Sequence, residues 1–357
     1  MSNIVNKTKV LFTDVGHPVT GGTLKNLKET DKNLYFIGID NTRDTMGFLW
    51  VDKFYTIPKP SDPNYINSLL EVAVKEKVDL IIPWTNEEAL VIAKSSRLFR
   101  NEGIKLLNNT ESTIRKLVDK GSMYNNLKEK GFPVPNFRLA SNIKEVEDAI
   151  IGLGYPKIPV VVKPRNLSGA RGFCIIDKNP DLDKRGFGNK LPLKAFISLL
   201  EESGNRENLS YLVMEFLAGK DFSVDCLCQN GEPIFIIPRT RINVMGGVSL
   251  IGEITDDFKV RKLVKKVIKS FKLTYNVNIQ LRYRKSISGE PFIYDINPRI
   301  SGTIVANSGA GINLLYYGIK LALGESVSKQ NNMEYRGVKM VRYWEQEFIE
   351  TNKKFNP

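Results

Sequence analysis

The sequence predicts an α/β protein whose first part, residues 1–108, forms a Rossmann-like parallel sheet. Short apolar runs typical of strands alternate with polar segments typical of helices, which is the pattern of parallel strands joined by crossover helices. A hydrophobic content of 42% and a charged content of 25% are ordinary for a globular protein, and 357 residues can hold two or three subdomains. We therefore expect one parallel sheet followed by further α/β units.

The first unit contains three predicted strands: Lys9–Val15, Leu34–Asp40 and Val78–Pro83. The first strand ends in a glycine-bearing turn and the second ends in an acid, which are features of dinucleotide sites in such sheets. The turn from Gly16 to Gly22 reads G-H-P-V-T-G-G, however, and this is not the G-x-G-x-x-G fingerprint. A scaffold or substrate-side domain is therefore favoured over one that binds NAD(P).

A helical segment, residues 109–131, links the first unit to the rest of the chain. Thr110 is a plausible N-cap for a helix that runs to Lys130, and Gly131 is its stop signal. The following G-F-P-V-P run, residues 131–135, forces an extended crossing because each proline disfavours helical backbone in the residue before it. We place the first domain boundary here.

The segment Pro159–Ile176 combines a strand that ends at Lys163 with a loop rich in glycine and small residues. The loop carries Asn166, Ser168, Gly169, Arg171 and Gly172. Such a loop lets backbone N–H groups converge on phosphate oxygens and can close as a lid. A simple hairpin turn is the alternative interpretation, and a Walker loop is excluded because no G-K-[ST] follows.

The segment Tyr211–Cys228 reads as an apolar strand, Leu212–Glu215, followed by an alternating strand that begins near Asp221. Exposed backbone amides at the end of the first strand can bind the edge of an adenine, and Asp221 can accept hydrogen bonds from ribose hydroxyls. An ordinary hairpin with a solvated acid is the alternative.

Two arginines and two glycines suggest an anion subsite in the segment Ile236–Ser249. Arg239 and Arg241 lie on one face if this segment is extended, and Gly246 and Gly247 follow them. Convergent guanidinium groups bind carboxylate or phosphate well. A solvated strand face is an equally good interpretation.

Residues 276–311 read as a β-hairpin made of two strand-like runs and a short turn: Asn276–Arg284, Pro291–Asn297 and Ser286–Gly289. The turn puts Gln280 opposite Asp295, or opposite Asn297 if the register slips by two, and all three side chains then share a face. Amide and carboxylate oxygens suit Mg²⁺, which commonly shares one or two carboxylates with substrate phosphates. The alternative is an amphipathic hairpin with a solvated face.

Arg299 follows the hairpin on backbone stiffened by Pro298. Its guanidinium is placed to bind an anionic oxygen bidentately.

The composition limits the function classes. No apolar run approaches the roughly 20 residues of a membrane helix, and Met1–Lys9 lacks a signal-peptide core, so we expect a cytoplasmic protein without a membrane partner. The three cysteines, Cys174, Cys226 and Cys228, are better interpreted as reduced core thiols than as a zinc site. His17 is the single histidine, which excludes histidine-based metal clusters.

The net charge of +13 indicates anionic partners. Basic residues are interleaved with acids and form no stripe, so small phosphorylated or carboxylated ligands are favoured over nucleic acid. A biased genome is an alternative source of the many lysines and asparagines.

Taken together, five ordered motifs resemble the ATP-grasp superfamily, most closely its carbamoyl-phosphate-synthetase-like branch. They are D-K before G-F-P-V-P, V-V-K-P with its glycine-rich loop, M-E-F-L-A-G-K-D-F-S-V-D, N-I-Q and D-I-N-P-R-I-S-G. The similarity runs from Lys9 to about Gly324. It implies a Rossmann-like domain (1–108), a linking helix (109–131), an ATP-grasp lid (132–211) and a larger C-terminal subdomain with the metal site (212–357).

The resemblance also implies roles for individual residues. Those implied to bind ATP are Lys120, Lys163, Ser168, Gly169, Gly172, Glu215, Phe216, Leu217 and Asp221. Arg239, Arg241, Gly246 and Gly247 are expected to bind substrate. Gln280, Asp295 and Asn297 are expected to bind Mg²⁺ or Mn²⁺, and Arg299 to stabilise the transferring phosphoryl group.

Two departures from the family pattern bear on the metal. Asp221 and Asp295 stand where members generally have glutamate, and the first metal ligand is Gln280 where many branches have an acid. Both changes leave nucleotide binding intact and bear on the number of metals.

The activity implied by the resemblance is an ATP-dependent carboxylate-amine ligase that works through an acyl phosphate, with a small carboxylate and an amine as substrates. One rival is an enzyme of the same fold that makes carboxyphosphate or phosphorylates a sugar hydroxyl. The other is an ATP-binding regulatory subunit without turnover. A homodimer is suggested by the resemblance alone.

Overall fold

The computed structural model describes residues 7–167, 171–180, 189–202, 207–245, 247–285, 289–328 and 337–348. The described residues form three sheets in chain order, and each sheet is covered by helices. The mixed α/β architecture predicted from the sequence is confirmed.

The N-terminal domain is a five-stranded parallel sheet in the order β3-β2-β1-β4-β5. Its elements are β1 (Thr8–Phe12), α1 (Thr20–Thr30), β2 (Leu34–Asp40), a 3₁₀ helix (Met46–Trp50), β3 (Lys53–Thr56), α2 (Tyr65–Glu76), β4 (Leu80–Ile82), α3 (Asn86–Lys94), α4 (Ser96–Asn101) and β5 (Lys105–Leu106). The strand order reverses between β1 and β4, and ligands bind open α/β sheets at the carboxyl ends of strands beside such a point. The three predicted strands are present, and the short edge strands β3 and β5 are additional.

The predicted linking helix is two helices, α5 (Glu111–Val118) and α6 (Lys120–Glu129). Thr110 caps α5 by accepting a hydrogen bond from the backbone N–H of Thr113. The break falls at Asp119, whose extended backbone and side chain form the N-cap of α6. An N-cap residue leaves the helical conformation while its oxygen satisfies a free N–H, so Asp119 ends one helix and begins the next.

The second sheet, which corresponds to the predicted lid, has the order β6-β10-β7-β8-β9. Its elements are β6 (Phe137–Asn142), α7 (Ile143–Gly152), β7 (Val160–Pro164), β8 (Cys174–Ile176), β9 (Asn189–Leu191), α8 (Leu193–Glu202) and β10 (Glu207–Glu215). The expected boundary at residue 211 falls too early, because residues 211–215 pair with β7 and so belong to this sheet. Ser168 and Gly169 lie outside the described residues.

The third sheet is antiparallel, in the order β15-β14-β11-β12-β13-β16. Its elements are β11 (Asp221–Gln229), β12 (Glu232–Met245), β13 (Val248–Ile254), α9 (Phe258–Phe271), β14 (Tyr275–Arg282), β15 (Phe292–Asn297), α10 (Ala306–Gly309), α11 (Leu314–Leu323) and β16 (Lys339–Val341). The apolar face of α9, including Val264 and Ile268, packs on this sheet in one core with Cys226 and Cys228. All three cysteines are buried and none forms a disulfide.

The predicted hairpin is the β14–β15 pair. Gln280 pairs with Asp295 and Asn278 with Asn297, which is the first of the two registers expected from the sequence. The register then shifts, because Leu281 pairs with Ile293. Tyr294 is therefore the extra residue of a β-bulge, a feature that re-aims side chains near functional sites.

The N-terminal domain and the third sheet share a hydrophobic core. Phe12 and Ile82 from the first sheet lie in the same cluster as Ile237, Ile300 and Ile319. Because apolar burial is the dominant stabilising term, this shared core holds the N-terminal domain against the end of β15. Across the described ranges, no helix is both long and apolar enough to cross a membrane.

Candidate active site

A cleft of about 650 Å³ lies where the three sheets meet. Its charged and amide lining comes from every part of the fold and includes Asp14, Lys59, Glu87, Lys120, Lys163, Arg241, Gln280, Asp295, Asn297 and Arg299. The cleft opens beside the carboxyl ends of β1 and β4, at the reversal of strand order in the first sheet. Its size suits a small-molecule ligand.

Two lysines and one carboxylate form the centre of this cleft. Lys120 Nζ lies 3.9 Å from Asp295 Oδ1 and donates to the carbonyl oxygen of Leu167 over 3.0 Å. Lys163 Nζ donates to the carbonyl oxygen of Tyr294 over 2.9 Å. Both lysines are less than one-tenth exposed. When both lysines are protonated, two positive charges beside one carboxylate leave an excess of positive charge, which suits phosphate oxygens.

The three groups shift one another's pKa. Burial acts to raise the pKa of Asp295, but Lys120 and Lys163, with the hydrogen bond from Asn297 and the charge of Arg299, hold that pKa below its usual value. Burial, and then the charge of Lys120, lower the pKa of Lys163 to about 7, against the opposing effect of Asp295. Lys163 is therefore only partly protonated near neutral pH, and an anion bound beside it would favour the protonated form.

Arg299 and Asn297 are held together at the end of β15. Asn297 Nδ2 donates to Asp295 Oδ2 over 3.3 Å, and Arg299 Nη2 donates to Asn297 Oδ1 over 3.3 Å. Asn86 from the N-terminal domain contacts both residues: its Nδ2 donates to Asn297 Oδ1 and its Oδ1 accepts from Arg299 Nε, each over 3.1 Å. The guanidinium of Arg299 is thus fixed at the side of the cleft.

A second network connects the cleft to the third sheet through Arg241. Arg241 Nη1 donates to Gln280 Oε1 over 3.2 Å and to the hydroxyl oxygen of Tyr294 over 2.9 Å. That hydroxyl donates to Asp221 Oδ1 over 2.8 Å, and Arg241 Nη1 lies 3.7 Å from Asp221 Oδ2. The carboxylate predicted to bind ribose is therefore hydrogen-bonded within the protein.

The oxygen atoms around Asp295 fit a hard cation. Gln280 Oε1 accepts one hydrogen bond and keeps a second lone pair, and the Asp295 carboxylate keeps further acceptor sites. Both lone pairs of Asn297 Oδ1 are used by Asn86 and Arg299, so this oxygen would bind a metal only in exchange for one of them. Among the described residues, no group of three His, Cys, Asp or Glu side chains could hold a metal, so the candidate ligand set here is one carboxylate with amide oxygens.

The predicted anion subsite of two arginines is wrong for Arg239, which does not line the cleft. Its side chain is completely buried below the cleft floor, where Nη2 donates to Ser223 and Thr303 and lies 3.6 Å from Asp225. A buried arginine requires a buried acceptor, and Asp225 supplies it. Arg241 and Gly247 do line the cleft, whereas Gly246 lies outside the described residues.

The residues predicted to bind adenine lie at the junction of the second and third sheets, outside the described lining of the cleft. Glu215 accepts hydrogen bonds from the backbone N–H of Asn136 and from Arg284. Phe216 is half-buried and Leu217 is buried. Their role in holding a nucleotide base stays a prediction.

Gly172 is required by the shape of the predicted lid loop. Its φ of +69° is in the left-handed region, and a Cβ added there would lie 2.7 Å from Pro164 Cγ. Only glycine meets both conditions without strain.

Sequence reasoning missed the acidic side of the cleft. Asp14 follows β1 with a positive φ of 48°, and burial, then Glu88 and Asp40, raise the pKa of its carboxyl to about 7. Glu88 is buried in the capping box of α3 and accepts a hydrogen bond from Tyr65. The sequence did contain a signal for these residues. The strands β1 and β4 are predicted from the sequence, and their carboxyl ends meet at the reversal of strand order, where ligands bind.

The two ends of the chain match different family models. Residues 10–107 match the family described as "PylC-like, N-terminal domain". Residues 207–347 match the family described as "ATP-grasp in the biosynthetic pathway with Ter operon". The carbamoyl phosphate synthase large chain of Methanothermobacter thermautotrophicus is 25% identical over 291 residues, which cover 79% of this chain and 26% of that protein. The chain therefore spans about a quarter of the length of the curated relative.

Solved structures show the same fold. The biotin carboxylase domain dimer of the Hydrogenobacter thermophilus 2-oxoglutarate carboxylase, in complex with MgADP, ADP and bicarbonate, superposes with a TM-score of 0.64 at 18% identity, covering 90% of this chain and 70% of that one. The L-amino acid ligase of Bacillus licheniformis superposes with a TM-score of 0.66 at 15% identity, covering 94% and 79%. The predicted ATP-grasp fold, with its preceding parallel sheet, is confirmed.

Proposed function

Since this chain belongs to the ATP-grasp superfamily, with a PylC-like N-terminal domain in front of its ATP-grasp region, we propose that it is an ATP-dependent carboxylate-amine ligase. The reaction forms an amide or peptide bond through an acyl phosphate and releases ADP and phosphate. The substrates are a small carboxylate, an amine and ATP with Mg²⁺.

One observation carries the proposal: a single cleft joins a cluster of cationic groups, which surround Asp295, to carboxylates of the N-terminal domain, where Lys59 also lines the cleft. Lys120, Lys163 and Arg299 lie on the ATP-grasp side, whereas Asp14 and Glu87 lie on the N-terminal side. Cationic groups suit phosphates and the carboxylate to be activated. Carboxylates suit an amine that arrives protonated.

In the first step an oxygen of the substrate carboxylate attacks the γ-phosphorus of ATP, and the bond from that phosphorus to the β,γ-bridging oxygen breaks. Lys120 and Lys163 hold phosphate oxygens, Arg299 lies where negative charge develops, and Asp295 with Gln280 would hold the metal. When bound, Mg²⁺ would supply positive charge that stabilises the phosphate groups. Catalysis of this kind consists of positioning and charge stabilisation, so no nucleophilic side chain is needed.

In the second step the amine, after it has lost a proton to solvent, attacks the acyl carbon with its nitrogen lone pair, and phosphate leaves with one oxygen of the original carboxylate. Arg241, Gly247 and the segment after Arg299, including Thr303, line the part of the cleft proposed to hold the acceptor. The lid loop near Gly172 would exclude water, which otherwise hydrolyses an acyl phosphate.

ADP release in substrate pools tests the proposal. The protein is given Mg-ATP with a pool of carboxylates, with and without a pool of amines. Asp295→Ala serves as the blank and Asp148→Ala, an exposed aspartate on α7, as the matched control. The proposal predicts ADP release that needs both pools, is lost in Asp295→Ala and is kept in Asp148→Ala.

Three other outcomes contradict it. ADP release with bicarbonate alone would assign the chain to carboxyphosphate chemistry, and release with a sugar alone would assign it to hydroxyl phosphorylation. Absence of turnover together with a melting temperature raised by Mg-ATP would favour a regulatory, nucleotide-binding role. Homodimer formation is a separate proposal, which light scattering after gel filtration tests directly.

A further inference from the structure

The side chain of Asn86 connects the N-terminal domain to the end of β15. Asn86 is the first residue of α3, directly after Thr85, whose side chain caps that helix. It is 5% exposed, and its amide uses both ends: Nδ2 donates to Asn297 Oδ1 and Oδ1 accepts from Arg299 Nε. One N-terminal side chain thus contacts two residues of the candidate site.

Other hydrogen bonds between the N-terminal part of the chain and the third sheet with its helices end on backbone atoms or lie away from the cleft. Asn109 Nδ2 donates to the backbone oxygens of Thr274 and Pro298. Asn313 Nδ2 donates to Asn26 Oδ1 away from the cleft. Among the hydrogen bonds of the described residues, those of Asn86 are the ones that join the N-terminal domain to side chains of the predicted metal and phosphoryl-binding set.

These two hydrogen bonds of Asn86 restrict the orientation of the Asn297 amide and the Arg299 guanidinium. An amide oxygen has two lone pairs, and on Asn297 both accept, one from Asn86 and one from Arg299. Its Nδ2 consequently points to Asp295 Oδ2, at 3.3 Å. Without Asn86, Arg299 Nε would lose its acceptor, and the amide of Asn297 would be held only by its hydrogen bonds to Arg299 and Asp295.

We propose that Asn86 is a positioning residue by which the N-terminal domain holds Asn297 and Arg299 in place for binding and transfer of the phosphoryl group. This inference rests on the proposed function. It makes the N-terminal domain a part of the nucleotide-binding centre as well as a wall of the cleft.

The test compares Mg²⁺-dependent binding of a non-hydrolysable ATP analogue to the full chain by titration calorimetry. Asn86→Ala removes both hydrogen bonds. Asn86→Asp keeps an acceptor for Arg299 and loses the donor to Asn297. Asn26→Ala is the matched control, because it removes a hydrogen bond between the same two regions outside the cleft. Melting temperatures report whether each variant is folded.

We expect Asn86→Ala to weaken binding of the analogue about tenfold, because Arg299 loses an acceptor and Asn297, whose Nδ2 orients the Asp295 carboxylate, loses one of its two donors. Asn86→Asp should fall between that variant and the wild type, and Asn26→Ala should stay within about twofold of the wild type because distant sites act independently. In an Asn297→Ala background, Asn86→Ala should cost clearly less than it does in the wild type, since residues in one network are not additive.

Two results overturn the inference while leaving the proposed function standing: equal binding by wild type and Asn86→Ala, or a loss in Asn86→Ala that Asn26→Ala shares. A wild-type protein that shows no Mg²⁺-dependent binding of the analogue overturns the proposed function, and the inference with it.

Discussion

The hydroxyl of Tyr294 donates a hydrogen bond of 2.8 Å to Asp221, from a bulge in β15 to the first residue of β11. The same hydroxyl accepts from Arg241. A regular β15 would turn Tyr294 and Asp295 to opposite faces of the sheet. The bulge is therefore what lets these two neighbours both line the cleft.

Removal of this hydroxyl should destabilise the protein. Tyr294→Phe leaves the buried carboxylate of Asp221 without its hydroxyl donor, and we expect the free energy of unfolding in urea to fall by about 1–3 kcal/mol. Tyr317→Phe, on a tyrosine that stacks on Phe235, is the matched control and should change it by less than about 0.5 kcal/mol. Equal losses in the two variants would show that the hydroxyl of Tyr294 contributes nothing specific.

Lys163 should take up a proton when nucleotide binds. Its pKa of about 7 leaves it mostly neutral at pH 8, whereas phosphate oxygens favour the ammonium form. Calorimetry with a non-hydrolysable ATP analogue, in two buffers of different ionisation enthalpy, should show an uptake of nearly one proton at pH 8. Lys163→Arg should abolish this uptake, because arginine stays protonated with a pKa above about 12. The same proton count in both proteins would contradict the prediction.

Asp14→Asn should stabilise the protein more at pH 8 than at pH 5. The pKa of Asp14 in the folded protein is about 7, above its ordinary value of 3.8. Between pH 3.8 and about 7, the folded state therefore holds more protons than the unfolded state. The contribution of Asp14 to the free energy of unfolding falls as the pH rises through this range. We expect the gain in melting temperature to be about 2 °C larger at pH 8.

Asp148→Asn, on the exposed face of α7, controls for the loss of a negative charge alone. A gain from Asp14→Asn that is equal at both pH values, or that the control reproduces, would show that Asp14 pays no ionisation penalty in the folded protein.

Gly172→Ala should damage the lid loop by sterics as well as by backbone strain. Gly103 is the matched control, because its φ of +74° is similar and no atom lies within 4 Å of an added Cβ, whereas at Gly172 Pro164 Cγ lies at 2.7 Å. Gly103→Ala should cost about 1 kcal/mol of unfolding free energy, the usual cost of a positive φ. Gly172→Ala should lower the free energy of unfolding by more than this and should also weaken binding of an ATP analogue. Equal losses of stability in the two variants, without an effect on binding, would show that Gly172 has no role in the lid.

Much of the fold was predictable because its signals are local. The apolar strands β1, β2 and β4 were recognised by composition, and the pairing of Gln280 with Asp295 followed from the position of the turn. The edge strands β3 and β5 were missed because they have only four and two residues. Strands this short carry too few positions for a periodic pattern.

The site was less predictable because its partners are far apart in the chain. Asn86 and Asn297 are separated by 211 positions, and nothing local to Asn86 indicates its partner. Arg239 and Arg241 share a strand face, yet only the first is buried on Asp225. The bulge that turns Tyr294 into the cleft is likewise a matter of register, which depends on both strands together.

The central claim is that the substrate carboxylate attacks the γ-phosphorus of ATP, and the most direct test is to trace a carboxylate oxygen into the released phosphate. The protein turns over ATP with a pool of carboxylates whose carboxyl oxygens carry ¹⁸O, together with the amine pool, and the released phosphate is analysed by mass spectrometry. An acyl-phosphate ligase transfers one carboxylate oxygen to each phosphate, so the account predicts one ¹⁸O atom in each phosphate released by turnover. Phosphate released with both pools present but without ¹⁸O would contradict the account, because the carboxylate would not have attacked the γ-phosphorus.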